Sequence, residues 1–234
     1  MKKYLLYTIA LLTPMLCISQ KIYSFDYLTE YNFYLYKDST VTKKQISVLT
    51  NSKDNSYLVS YSKTDSLNST VLFRHMDKVY SKESFRTSQL EKAQTILLNC
   101  ELIYRSPNPY KFRTKQYDFT ILKDTLLDGK NYKHYQFKSN NPKREKRKKL
   151  ATNYYIIDTE TSFHLPILEF PTAYEEWKSN QSLPNGMIQE LYQRNIDGKV
   201  IMKLKRINYK HVDIQLEIPK ECEHVLEPIK INTN

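Results

Sequence analysis

The feature that most restricts the fold of this chain is the alternation in its last third. Val200, Met202 and Leu204 alternate with Ile201, Lys203 and Lys205; farther on, Val212, Ile214, Leu216 and Ile218 alternate with Asp213, Gln215 and Glu217. Successive side chains on a strand point to opposite faces, so period-two alternation means a sheet with one buried and one wet face. Asp197-Gly198, just before it, reads as a two-residue hairpin turn because both residues tolerate positive φ. Met187 to Pro219 is therefore strand, turn, strand, bend, strand. The fold class is mainly β, built on an antiparallel sheet.

The rest of the chain continues the pattern. Ile22–Tyr36, Val41–Thr50, Tyr57–Tyr61 and Thr70–Met76 read as strands separated by polar turns, which is a meander. Then the period changes: Leu90, Ala93, Leu97, Cys100 and Tyr104 follow helical spacing, Ser88-Gln89-Leu90-Glu91 reads as a capping box, and Pro107 and Pro109 follow. This predicts a helix over residues 89–104, with a strand in Ile96–Tyr104 as the alternative. Lys111–Leu122 and Asn131–Lys138 are further strands, and Asn153–Asp158 and Leu165–Phe170 read as a hairpin around Thr159–His164. Thr172-Ala173-Tyr174-Glu175 reads as a second capping box opening a short helix with the only tryptophan, Trp177. One or two helices are thus available to cover the concave face.

Lys2 and Lys3 followed by the apolar run Leu5–Leu16 read as a signal peptide over residues 1–19, with small residues at the cleavage site before Gln20. Leu16 precedes Cys17 where a lipoprotein would carry a small residue, so the expectation is a soluble exported protein, periplasmic or secreted. Residues 20–234 show no repeat or linker and read as one β domain. The net charge of +11 becomes +9 without Lys2 and Lys3, which favours anionic partners; export argues against nucleic acid.

Glycine is scarce, 3 residues, and none builds a phosphate loop or dinucleotide fingerprint. The histidines His75, His134, His164, His211 and His224 have no ligand spacing; Cys222 and His224 would share one side of a strand, but a structural site needs four ligands. No metal, no cofactor and no enzymatic activity are expected. After export, Cys100 and Cys222 either bridge or remain buried thiols. Lys143, Arg144, Lys146, Arg147, Lys148 and Lys149, with only Glu145 among them, read as a solvated loop or strand extension that touches anionic surfaces.

Two segments carry a family resemblance. Tyr154-Tyr155-Ile156-Ile157-Asp158-Thr159-Glu160-Thr161 with Leu165-Pro166-Ile167, and Asn195-Ile196-Asp197-Gly198-Lys199 running on to Val212 and Ile218-Pro219, resemble the hairpins of LolA-like periplasmic lipoprotein carriers. The likeness lies mainly in the last third. Ser162-Phe163-His164 stand where that family usually places a glycine before Leu-Pro. His164-Leu165-Pro166-Ile167-Leu168 is similar, in its Leu-Pro core alone, to the GLPGLI family of exported proteins. The LolA resemblance implies a curved antiparallel sheet or half-barrel that stays half-open, with helices against its concave side and an acyl-chain cavity between them. On that expectation Tyr31, Phe33, Leu97, Val200, Met202 and Leu204 are the cavity candidates, and the function is binding of a lipid or other amphiphile as carrier or sensor. The alternative is a protein–protein interaction module of the cell envelope.

Overall fold

The computed structural model describes residues 21–109 and 111–222. The expected signal peptide and His224 lie outside the described residues. The order begins β1 Lys21–Lys37, β2 Thr40–Thr50, β3 Tyr57–Lys63, β4 Asn68–His75 and β5 Val79–Arg86. There follow α1 Thr87–Leu90, β6 Thr95–Leu97, a 3-10 turn Cys100–Leu102 and β7 Ile103–Arg105. After a 3-10 segment Lys111–Gln116 come β8 Tyr117–Ile121, β9 Thr125–Leu127 and β10 Lys130–Ser139. The described residues continue with α2 Pro142–Lys148, β11 Thr152–Asp158, a 3-10 turn Thr159–Thr161, α3 Pro171–Asn180, β12 Met187–Arg194, β13 Val200–Ile218 and a 3-10 turn Lys220–Cys222.

The strands form one curved sheet in the order β7-β5-β4-β3-β2-β1-β13-β12-β11-β10-β8, with β6 added in parallel to β13 and β9 to β10. The main path is antiparallel and does not close. The first and last strands meet at its centre, paired from Lys21↔Ile218 to Leu35↔Met202.

Both faces are buried, each by a different cover. One core gathers Phe25, Leu49, Val59, Phe73, Ile96, Leu98 and Leu216; the other gathers Tyr31, Val48, Leu58, Tyr155, Leu168, Trp177 and Leu204. Val48 and Leu49 are neighbours on one strand, as are Leu58 and Val59, so the two cores lie on opposite sides of the sheet. Residues 87–105 cover the first side, and α3 with its preceding segment covers the second. β13 serves both. Leu204 belongs to one core and Leu216 and Ile218 to the other, although all are even positions. The register with β1 slips between Phe25 and Tyr27 and again between Glu30 and Tyr31, opposite the exposed run Ile207–His211. The expected bend is thus a pair of bulges within one 19-residue strand.

Several expectations are corrected. Residues 89–104 do not form a helix: Ile96 and Leu98 enter the core and Leu97 between them points out, a strand pattern fixed by Gln215 N–H to Gln94 O at 2.8 Å and Leu98 N–H to Glu217 O at 3.1 Å. The free edge of backbone on β13 outweighs the local helical spacing. The only helix there, α1, has no side-chain cap. Leu165–Phe170 is not a strand but a strap that crosses the sheet. α3 exists, but it opens at Pro171 behind Phe170, and the expected capping box does not form. The basic run is α2, not a loop: Asn141 caps it by accepting from Arg144 N–H at 2.9 Å, and Lys149 ends it in the left-handed conformation. Asp197-Gly198 is part of a three-residue loop, with Asn195 N–H donating to Lys199 O at 2.9 Å and Gly198 at φ +79. The two-residue turn with both φ positive falls at Asp128-Gly129 instead, closing Leu127 onto Lys130.

Cys100 and Cys222 are bridged, with Cα atoms 5.1 Å apart and a sequence separation of 122. The bridge ties the cover of the first core to the end of β13. Closing a loop that long restricts the unfolded chain by about 4–5 kcal/mol in the chain-entropy account. Replacing both cysteines with serine should lower unfolding stability in a denaturant titration by about 2–5 kcal/mol; an unchanged midpoint would remove the bridge from the stability argument.

Candidate functional site

The site is organised by a polar knot at the end of β11. Asp158 Oδ1 accepts from Glu160 N–H at 3.3 Å, Thr161 Oγ1–H donates to Asp158 O at 2.6 Å, and Met187 N–H donates to Thr161 Oγ1 at 2.7 Å. The Asp158 carboxylate meets Lys130 at 2.9 Å and Arg206 at 2.5 Å. Burial works to raise its pKa, but hydrogen bonds from Lys130 and Arg206 outweigh that and leave it below the ordinary range. Gly186 passes so close that a Cβ there would lie 2.4 Å from Asp158 O. Its N–H donates to His164 O at 2.7 Å, which starts the strap.

His164 is fully buried. Its Nδ1–H donates to Leu165 O at 2.5 Å, which leaves Nε2 to accept from the Thr50 hydroxyl at 2.8 Å. That arrangement needs a neutral ring, and burial lowers the imidazole pKa accordingly. From there the strap is held by Leu165 N–H to Ser52 O at 3.0 Å, Asn55 Nδ2–H to Pro166 O at 2.8 Å and Arg74 guanidinium N–H to Glu169 O at 2.7 Å.

Under the strap lies a slot of about 160 Å³. Phe33, Ile46, Leu58, Leu72, Met202 and Leu204, from five strands, supply its apolar walls; Ser60, Arg74 and Glu169 complete it. Arg74 and Glu169 also line an outer cleft of about 520 Å³ that runs past Met76, Pro107, Phe170 and Pro171. These two residues are the wall that slot and cleft share. Burial raises the Glu169 carboxyl pKa, and Arg74 opposes the rise. Burial likewise raises the Tyr31 and Tyr155 hydroxyls, and the field of Glu169 reaches both. An apolar trough with a cation and a carboxyl group at one end can seat an apolar chain and hold its polar head.

Of the expected cavity residues, Phe33, Met202 and Leu204 come together in the slot. Tyr31 packs in the adjoining core, its hydroxyl donating to Ile188 O at 3.4 Å. Leu97 and Val200 are not brought there. Leu97 is 56% exposed and pairs with Glu217 at the other end of β13, and Val200 sits beside the hairpin loop opposite Arg194. Sequence reasoning missed Ile46, Leu58, Leu72, Arg74 and Glu169. The available signal was the runs Tyr57-Leu58-Val59 and Val71-Leu72-Phe73, because consecutive apolar residues on a strand mark burial on both faces. In the basic run, Arg144 lies over the Tyr117 ring at 4.7 Å and donates to Gln116 O at 3.3 Å, while Lys146, Arg147, Lys148 and Lys149 are exposed. Among the described residues no group of three or more His, Cys, Asp or Glu is placed to hold a metal ion.

No family model matches the chain, and no curated protein does. Solved structures do. The MucA/MucB complex of Pseudomonas aeruginosa matches at 6% identity and a TM-score of 0.42, over 81% of this chain and 52% of that one. A putative outer membrane lipoprotein-sorting protein domain from Vibrio parahaemolyticus matches at 9% and 0.31, over 80% and 85%. A LolA superfamily protein from Nitrosomonas europaea matches at 10% and 0.32, over 87% and 90%. The chain spans 52% to 58% of the length of the MucB structures it matches.

His75 lines the outer cleft and gives the site a pH signature. Its Nδ1 accepts from the Tyr23 hydroxyl at 3.0 Å, and that hydroxyl is held protonated by burial. Burial first, then repulsion from Lys78 and Lys21, lowers the imidazole pKa to about 4. The unfolded ring titrates near ~6.5, so it takes up protons first. Its contribution is full above that pH and is lost as pH falls toward 4, up to about 3 kcal/mol. His75→Gln should flatten part of the drop in melting temperature between neutral and acidic pH. His134 and His164, also lowered by burial, keep the rest; an unaltered profile would refute the assignment.

Proposed function

We propose that this is an exported, non-enzymatic binder of an amphiphile in the cell envelope, a carrier or sensor, consisting of a cleaved leader over residues 1–19 and one domain over 20–234. The observation that carries the reading is the apolar slot built by Phe33, Ile46, Leu58, Leu72, Met202 and Leu204 beneath a strap. An apolar chain occupies the slot and its polar head lies at Arg74 and Glu169. A longer ligand extends into the outer cleft when the Arg74 contact to the strap yields. No helix among the described residues is long and apolar enough to cross a membrane.

Two measurements test it. Mass spectrometry of a solvent extract of the purified protein should yield a bound amphiphile. A series of fatty acids should bind with affinity rising roughly tenfold for every two methylenes until the slot is full, at about 0.8 kcal/mol per buried methylene. Leu72→Trp or Met202→Trp, which fill the slot, should weaken that binding at least about tenfold by the same reasoning while the circular dichroism spectrum stays that of the wild type. A clean extract together with no fatty-acid binding would leave the protein-interaction reading.

A further inference from the structure

Away from the slot and the outer cleft, α2 and the 3-10 segment Lys111–Gln116 line a further cavity of about 320 Å³. Its chemistry is one-sided. Arg113, Arg144, Arg147 and Lys148 line it with Phe112 and Tyr117, and no carboxylate among the described residues does. Glu145, the only acid in the helix, accepts instead from the Thr152 hydroxyl at 3.4 Å. Arg144 is held in place by Tyr117 and Gln116, yet its Nε is buried without a hydrogen-bond partner among the described residues. A buried donor without an acceptor is costly and marks where one fits. Lys143, Lys146 and Lys149, exposed on the same helix or at its end, add to the positive field.

Phe112 stands at the mouth with 69% of its surface exposed and Arg113 over its ring at 5.3 Å. A large exposed ring beside a group of guanidiniums suits an interface where phosphates lie immediately above hydrocarbon. A soluble acidic polymer would use the cations and leave the ring without a partner.

We propose that this cavity is a membrane-docking site for anionic phospholipid: the headgroup phosphate sits among Arg144, Arg147 and Lys148, and Phe112 enters the bilayer interface. Guanidinium pairs bind phosphate through two parallel N–H···O bonds, which gives the site more than a diffuse attraction. The site does not depend on the slot being occupied, and a protein that binds nothing in the slot would still dock.

The test is flotation of the full chain with phosphatidylcholine vesicles, with and without phosphatidylglycerol. The wild type should float only with the anionic lipid and should release as salt is added. Arg147→Ser with Lys148→Ser should weaken binding by on the order of tenfold to thirtyfold, at about a kilocalorie per basic residue near the surface. Phe112→Ser should weaken binding while leaving its salt dependence intact. Lys82→Ser with Lys92→Ser, exposed lysines elsewhere on the molecule, makes the same change in net charge and should alter binding less than about threefold if position matters more than total charge. The proposal is overturned if the wild type ignores phosphatidylglycerol vesicles at low salt, if both double variants lose binding equally, or if dextran sulfate binds through Arg147 and Lys148 while vesicles do not. All substitutions lie on exposed residues, and an unchanged melting temperature shows that each variant is folded.

Discussion

An open sheet with two covers has to turn its buried face over somewhere along its length, and in this protein the turn is made where β1 meets β13. The two register slips there let Tyr23, Phe25, Leu216 and Ile218 face one cover while Tyr31, Phe33 and Leu204 face the other. Without them the even positions of β13 would present a single apolar side, and one of the two cores would lose its central strand. Between the bulges, Ile207–His211 is exposed because neither cover extends over it. The slot lies on the second side of this crossing, where Phe33 and Leu204 are direct cross-strand partners.

The strands were largely legible because alternation is a local property. Ile22–Tyr36 and Val41–Thr50 differ from β1 and β2 by a residue at an end, and the period-two runs of β13 are where the sequence places them. What it does not carry is which face each run serves. Val200–Leu204 and Val212–Ile218 share parity, and only the bulges opposite β1 send them to different cores. The misread helix at 89–104 has the same origin. Leu90, Ala93, Leu97, Cys100 and Tyr104 form a sound helical stripe, yet the structure buries Leu90, Ile96, Leu98 and Ile103, because β13 offers unpaired backbone that a strand can use and a helix cannot.

The candidate site was legible in part for related reasons. Phe33, Met202 and Leu204 stand on clearly amphipathic strands. Leu97 was misplaced with its helix, and Val200 because alternation says nothing of how far along a strand a cavity extends. Arg74 and Glu169 were out of reach. Arg74 meets the strap through a backbone carbonyl, which has no side-chain signature, and the strap itself reads as a strand until Pro166 and the ring of His164 are seen to tie it across the sheet.

The strap's anchoring is uneven, and on the proposed reading that bears on how a ligand would reach the slot. At one end the buried imidazole of His164, Gly186 and the Asp158 knot hold it through several interlocked bonds; at the other, Pro171 opens α3, whose Ala173, Tyr174 and Trp177 are buried. Its middle has the Asn55 hydrogen bond, worth about 1 kcal/mol net of water, and the charge-assisted Arg74 hydrogen bond, worth about 1.5–3 kcal/mol. Bending the middle outward while both ends stay fixed would break these two bonds and expose Ile167 and Leu168, each worth about 1.5–3 kcal/mol of apolar burial. Glu169 adds a bias: burial raises its carboxyl pKa, so contact with water favours its ionised form. If the strap lifts as the proposed function requires, linkage favours the closed form as pH falls and the lifted form as pH rises, with Arg74 reducing the difference. On that reading the residue that walls the slot from the outer cleft is also the one whose charge state would follow the strap's position.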